Sequence, residues 1–545
     1  SYNDLEKSFI EWYYKFHPIK TFQFGNENEN VSYLQLRTGL RDEYLADIER
    51  FRIELSQIDE TKLPIEKYIN HNILTQFLDR RLYIVDIDKI HEWDVSLYSK
   101  MVFDGIVELI DDQYLKMDDK VFLLEKRLSS SRSILRGTYE NIKYYSKFHH
   151  DYAIKIIQAL NLLLDQLPIK IISDNETLDK IDIHIKDIKQ EIDILLNWYS
   201  SELIKMDKYE SVKISSELKL IFNHFVGQEY AIDKISKLAE RRISKIQNEL
   251  FDISLPFYLQ KNDEPIWVDK DDSLLVINWM ISEIDINNIN EGEYISTVYN
   301  SSNKINSFLK SNNQIYIDDI PQIEISFDNE YSISNSFAYF EGHQIKDKTE
   351  LVKYFINPIN AKNETFNVSN KYHIDLLVMK DIMPGKLHLH QSISSNSEAL
   401  RKILQDDVFK FGWINYSTSS VIESDFGGAE NYAYKILMLF NKLKIASLSW
   451  MEMEVVYNKS DDINVINELS KIINFSAEKS KELIYLANLR PFYFTKQFIG
   501  NIEMNRILKD YKNDNRLFNM RNYQHDVLKQ GAIPISQLRK VLLNK

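Results

Sequence analysis

Cysteine is absent from all 545 residues, which excludes disulfides, thiolate metal sites and cysteine nucleophiles in one step. Any bound zinc would need histidine and carboxylate ligands. Glycine and proline are scarce, at 13 and 10 residues against average usages of roughly 7% and 5%, so turn punctuation is sparse and long helices are favoured. No window approaches the run of about 18 apolar residues that a membrane-spanning helix requires. The opening Ser1-Tyr2-Asn3-Asp4 has neither the basic nor the apolar region of a secretory signal. Positive charge is also in deficit: 67 Lys and Arg against 81 Asp and Glu leave a net charge of -14. That balance opposes phosphate backbones and argues against nucleic acid as a partner. The missing cysteines suit a reducing compartment, so a cytoplasmic location is expected. A secreted or lipid-anchored precursor with its signal removed is the alternative.

The residues present, 44% hydrophobic and 27% charged, suffice for a large core in a globular chain. From Leu5 to about Phe251 apolar positions recur at three and four, as in Tyr44, Ile48, Phe51, Ile53 and Leu55, which predicts a stack of amphipathic helices. Breaks are expected at His17-Pro18, in the loop at Phe24-Gly25-Asn26, at Leu63-Pro64 before a helix through Ile69 to Leu82, and from Leu167 to Thr177. Between Asp252 and Tyr372 the texture changes to Pro256, Pro265, Gly292, Pro321 and Pro358, with alternation at Ile315-Tyr316-Ile317 and Ile323 to Phe327 that predicts a small sheet. Helical periodicity returns after Pro384, through Leu400 to Leu404, Tyr432 to Leu443, Val465 to Ile473 and Ser480 to Leu489. The expectation is a mainly α fold of the α+β class with a deep cleft. Its parts are a helical region 1–251, a mixed insert 252–372 and a helical region 373–545, joined as one continuous domain.

The run Met379-Lys380-Asp381-Ile382-Met383-Pro384-Gly385-Lys386-Leu387-His388-Leu389-His390-Gln391 resembles the H-E-x-x-P-G-H signature of the bacterial domain of unknown function 885 family. Further segments match in the family's order. They are Phe9 to Tyr13 with His17-Pro18 and Thr21, then Arg127-Leu128, Phe225 to Tyr230, Leu400-Arg401, Phe409 to Tyr416, and Tyr523 to Leu528 with Gly531 to Pro534. The resemblance implies a largely helical body with a small sheet, distantly similar to H-E-x-x-H zinc carboxypeptidases, and a metallopeptidase activity. In such a site imidazoles and a carboxylate hold Zn²⁺ with one position open, and a second carboxylate takes a proton from the bound water.

This sequence departs from that pattern at each implied role. The "HE" pair falls on Lys380 and Asp381, the histidine after Pro384-Gly385 on Lys386, and the glutamate of "EGW" on Phe411. A protonated lysine has no lone pair to donate, and phenylalanine cannot coordinate at all. No retained metal ligand and no cofactor is therefore expected, although the resemblance implies zinc in relatives. Three functions follow as expectations. The first is a pseudoenzyme that binds a peptide or small molecule in the old cleft, lined by Pro384, Gly385, His390, Phe411, Trp413, Tyr416, Tyr493 and His525. The second is a repurposed, metal-independent enzyme using Lys380, Asp381, Lys386 or His388 as acid, base or amine nucleophile. The third is a metallohydrolase with relocated ligands among His388, His390, His373, His343 and Glu423.

Each residue also has a structural reading. Lys380, Asp381 and Lys386 would form an ion-paired cluster, Trp413 and Tyr416 would pack in the core from one helix face, and His525 would be buried and hydrogen-bonded. His388 and His390, two apart on a helix, would point in nearly opposite directions. His149-His150-Asp151 would lie on a solvated helix face.

Overall fold

The computed structural model describes residues 1–17, 38–112, 115–171, 173–209, 215–227, 229–261, 273–285, 289–316, 320, 322–334, 336–340, 351–363, 370–514 and 517–543. Pro18, Thr21, the Phe24 to Asn26 loop, Gln228, Pro265, Ile317, Pro321 and His343 lie outside these residues.

The chain is mainly helical with one small sheet. Its first helix, Tyr2–Phe16, begins with a capping box in which Ser1 and Asp4 satisfy each other's exposed backbone donors. The next, Thr38–Ser56, buries Tyr44, Ile48, Phe51 and Leu55 but leaves Ile53 60% exposed. Ile53 stands two residues from both Phe51 and Leu55, which turns it to the opposite face. Pro64 precedes the helix Ile65–Leu82, where its fixed φ and missing donor cost nothing.

The break expected over Leu167 to Thr177 falls between Lys170 and Asn175, just past Pro168, whereas Pro256, which marks the change of texture, interrupts nothing. Pro168 lies inside Lys147–Lys170 and Pro256 inside Ile235–Lys261, so the change of texture at 252 falls within a continuous helix. Each removes one backbone donor. Tight packing holds both helices together: Leu163, Leu164 and Leu167 are fully buried beside Pro168, as are Leu250 and Ser254 beside Pro256. The helices Ser273–Ile284 and Tyr294–Ser311 occupy much of the segment expected to be mixed. The sheet is confined to β1 Gln322–Phe327, β2 Ala338–Phe340 and β3 Leu351–Ile356, in the order β1-β3-β2. β1 runs parallel to β3 and β2 antiparallel to it. Ile315 and Tyr316 belong to no strand.

Buried apolar side chains form two main clusters. One is built by the helices Ser96–Asp111, Met117–Asn141, Lys147–Lys170 and Asn175–Ser201, with Tyr331 beside the sheet. The larger one gathers the first helices, the sheet and the C-terminal helices. Within it Asn431–Glu452 is buried on several faces, through Ile436, Leu437, Leu443, Ala446 and Met451. Asp407–Glu423 crosses the helix Tyr493–Asp514 at two glycines: a Cβ on Gly412 would lie 2.6 Å from the Gly500 carbonyl oxygen, and one on Gly500 2.2 Å from that of Val408. Among the described residues no helix is long and apolar enough to cross a membrane.

Candidate functional site

Asn370 caps the helix Lys371–Asp381 by accepting from the Tyr372 N–H at 2.8 Å. That helix stops at Ile382, a cis Met383–Pro384 bond follows, and the helix Lys386–Ser394 starts from Gly385. The Trp413 indole N–H reaches the carbonyl oxygens of Pro384 at 3.0 Å and Gly385 at 3.2 Å. Trp413 is fully buried, so this residue ties the turn to the neighbouring helix from within the core.

Lys380, Asp381 and Lys386 each meet different neighbours. Asp381 accepts from the Tyr354 hydroxyl on β3 at 3.0 Å. Lys386 lies over the Phe340 ring on β2, 4.9 Å from its centre. Lys380 lines a small cavity against Asn431–Glu452. Adjacent residues on a helix diverge by about 100°, and Lys386 belongs to the next helix beyond the turn, so the expected cluster becomes three separate environments.

The two histidines do diverge: His388 packs against Trp413, with ring centres 6.3 Å apart, and His390 against Phe340 at 6.2 Å. Phe411 meets the edge of Tyr493 at 5.9 Å. Tyr416 is buried with its hydroxyl donating to the Met520 sulfur at 3.1 Å, and burial pushes its acidity well below that of an ordinary phenol. His525 is exposed, edge-on to Tyr316 at 5.2 Å, because it lies on the outer side of the helix Met520–Lys529 whose inner side buries Tyr523, Gln524, Val527 and Leu528. His149 reverses its expectation too. It is buried, 2.8 Å from the Ser146 hydroxyl and edge-on to Trp93, and burial lowers its pKa.

Of the residues singled out from the sequence, His388 and His525 meet at a cavity of about 470 Å³. One wall is a compensated charge network. The buried Arg401 donates to Asn70 at 2.9 Å, to Gln530 at 3.2 Å and to the Glu66 carboxylate. Beside it Glu398 accepts from Asn70 at 2.8 Å and Lys67 at 3.3 Å. Burial raises the Glu398 pKa, but these donors outweigh burial and hold it below the usual carboxylate range.

The other wall is uncompensated. Gln314 and Gln524 are almost fully buried, and each has an Oε1 atom with no hydrogen-bond partner among the described residues. Gln524 donates through Nε2 to Ser420 at 3.4 Å. The buried Nε of Arg521 is likewise unpartnered, while its guanidinium stacks on the Tyr316 ring at 4.6 Å. Buried polar groups are normally paired, so two unpartnered acceptors and one unpartnered donor among the residues lining one cavity are unusual. Gln524 lies within the C-terminal motif and Arg521 just before it, but nothing in the motif marks either as lining a cavity. Gln314 has no sequence signal, since a lone glutamine matches no pattern.

Among the described residues no group of three or more histidine or carboxylate side chains is arranged to hold a metal ion. His373 is committed to Asp285 at 2.7 Å and Glu423 faces Lys442 at 3.8 Å. Lys380, Lys386 and Phe411 at the implied ligand positions do not fit a divalent cation.

Fold and cavity together define a helical protein with a small three-stranded sheet and a polar chamber lined by its C-terminal helices together with Glu66 and Gln314 to Tyr316. The chain belongs to the family of bacterial proteins of unknown function designated DUF885, whose sequence model matches residues 18–542. Its fold is similar to that of a candidate lipoprotein of unknown function from Shewanella oneidensis, at TM-score 0.78 and 14% identity over 100% of both chains. It is also similar to a candidate lipoprotein from Colwellia psychrerythraea, at TM-score 0.71 and 13% identity over 100% of this chain and 99% of that one. No curated protein matches the chain.

Proposed function

We propose that this protein binds a short peptide or similar small ligand bearing a free carboxylate, without zinc-dependent hydrolysis. The observation that carries this reading is one cavity whose lining includes Arg521, with an unpartnered Nε, and Gln314 and Gln524, each with an unpartnered Oε1. Arginine presents a fork matched to a carboxylate, and the two carboxamide oxygens suit amide N–H donors of a peptide backbone. The lysines at the implied metal positions support binding over metal-assisted catalysis. Calorimetric titration with trialanine and with its C-terminal amide tests the reading. The free acid is expected to bind at least about tenfold tighter than the amide, and Arg521→Ala to remove that preference. Equal binding of both peptides, or none, sinks it. Cleavage of trialanine in the presence of a chelator favours the repurposed enzyme instead.

The descriptions of the two similar proteins support a lipid-anchored location over the cytoplasmic one expected from cysteine content. Recovery of the native protein in the membrane fraction checks this.

A further inference from the structure

A second cavity, of about 540 Å³, shares no lining residue with the chamber that holds Arg521. On the helix Ser96–Asp111 it is lined by Lys100, Phe103, Asp104, Val107 and Glu108, a spacing of three and four that places them on one face. Phe148 and Tyr152, four apart, line it from Lys147–Lys170, and the two helices pack together. The Phe148 N–H donates to the Tyr485 hydroxyl at 2.7 Å, and their rings lie 5.8 Å apart. Tyr485 belongs to the helix Ala477–Leu489, which Arg490 caps. Burial lowers the pKa of His149, next to Phe148; Asp94 opposes this and the Arg490 charge adds to it. Arg490 therefore reaches the cavity at its Phe148 end. The loop 329–334 and Tyr339 form the remaining wall and are pinned by bonds of their own. Tyr339 donates to Asp328 at 2.7 Å, its hydroxyl lies 3.1 Å from that of Ser332, and Lys170 donates to the Tyr331 hydroxyl at 3.2 Å.

Every charge on the lining except one is matched within the protein. Lys100 donates to both oxygens of Asp104, at 2.7 and 2.5 Å. The buried Glu108 accepts from the buried Arg127 at 3.2 Å. The exposed Arg490 guanidinium has no hydrogen bond or ion pair among the described residues. A cationic ligand would find both carboxylates taken, whereas an anion finds a free cation. A phosphate ester would bring about two negative charges to that one cation, beside Asp104 and Glu108; a carboxylate brings a single charge and fits the arginine fork. The other side chains say what the carboxylate is attached to. Phe103, Phe148, Tyr152, Tyr331 and Tyr339 make five of the fourteen lining residues aromatic, against 12% of the chain, and such rings favour a flat apolar partner met offset or edge-on. The volume is roughly that of eighteen water molecules in the liquid, which leaves room for two fused rings and a short acid side chain. We propose that this cavity binds a small aromatic monocarboxylate of one or two fused rings, with its carboxylate on Arg490 and its ring against Phe148 and Tyr152.

Calorimetric titration of the full chain with indole-3-acetate tests this, with indole-3-acetamide and cyclohexylacetate in parallel at constant ionic strength. Indole-3-acetate is expected to bind saturably. It binds at least about fivefold tighter than the amide, which lacks the charge, and than cyclohexylacetate, which lacks the flat ring. Arg490→Gln removes the preference for acid over amide. Tyr152→Leu weakens indole-3-acetate about three- to tenfold and leaves that preference in place. Arg490 is exposed and Tyr152 half-buried, so both variants are expected to fold, which their melting curves without ligand check. Arg521→Ala leaves indole-3-acetate binding intact, which separates this cavity from the peptide chamber and lets either reading fail alone. Equal binding of acid and amide, equal binding of cyclohexylacetate, or no saturable binding overturns the proposal. So does an acid preference that survives Arg490→Gln, parent-like binding by Tyr152→Leu, or loss of binding in Arg521→Ala.

Discussion

A methyl group added at Gly385 would sit 2.0 Å from the Lys380 carbonyl oxygen and 2.5 Å from that of Met379. Neither oxygen has room to retreat, since both belong to the end of a helix packed in the core. Gly385→Ala is expected to destabilise the fold by roughly 2–4 kcal/mol, read from the denaturant midpoint. Glu452 makes a different case. It is fully buried and accepts from the N–H groups of Phe494 at 3.3 Å and Thr495 at 2.8 Å. Burial raises its pKa from 4.5 to about 7 despite those bonds and the nearby Lys496 ammonium.

Below about pH 4.5 the folded and unfolded states both hold this proton; between there and pH 7 only the folded state does, so stability falls as pH rises through that window. Glu452→Gln keeps the shape and removes the titration. Its stability relative to the parent is expected to rise by about 3 kcal/mol between pH 4.5 and 8, seen as a flatter pH profile of unfolding. The sequence announced Gly385 through its motif but gave no sign of Glu452, whose burial depends on a helix forty residues away in the chain.

At the scale of elements, periodicity located most helices because an apolar stripe at three and four is enough to commit a helix to the core. It overextended strands: Ile315 and Tyr316 alternate as a strand would, yet they lie in the turn region after the helix Tyr294–Ser311 and line the cavity. Pro256 misled in the other direction, since it sits within a helix held by its neighbours. The crossing at Gly412 and Gly500 also escaped notice, because contact between two backbones leaves no pattern in either helix alone. Gly500→Ala drives a methyl group into the Val408 carbonyl oxygen. It is expected to lower Tm by several degrees, and more than an alanine substitution at the exposed Gly292, where nothing lies within 4 Å.

Over the whole molecule, the apolar residues divide into the cluster built between Val95 and Leu203 and the larger one around Asn431–Glu452. Polar ties between them include the Phe148 N–H to the Tyr485 hydroxyl at 2.7 Å. Separate apolar clusters open as separate cooperative units. Native-state hydrogen exchange is expected to give one common opening free energy for the helices 96–111, 117–141, 147–170 and 175–201, and a different one for 407–423, 431–452 and 493–514. A single value for both sets would show them to be one unit. The mainly helical class was legible in glycine and proline scarcity, whereas this partition was not, since composition does not reveal which stripes face each other.

The cavity that Arg521 lines draws its walls from Glu66, from Gln314 to Tyr316, from His388 to Arg401, and from Arg521 to Gln530. A ribosome adding about 5–20 residues per second separates the first of these from the last by on the order of a minute. Throughout that interval the early helices exist without the partners that complete the chamber, and Arg401 waits for the Gln530 acceptors. The chamber is therefore complete only in the finished polypeptide, and a ligand of the kind proposed would meet no site on the nascent chain.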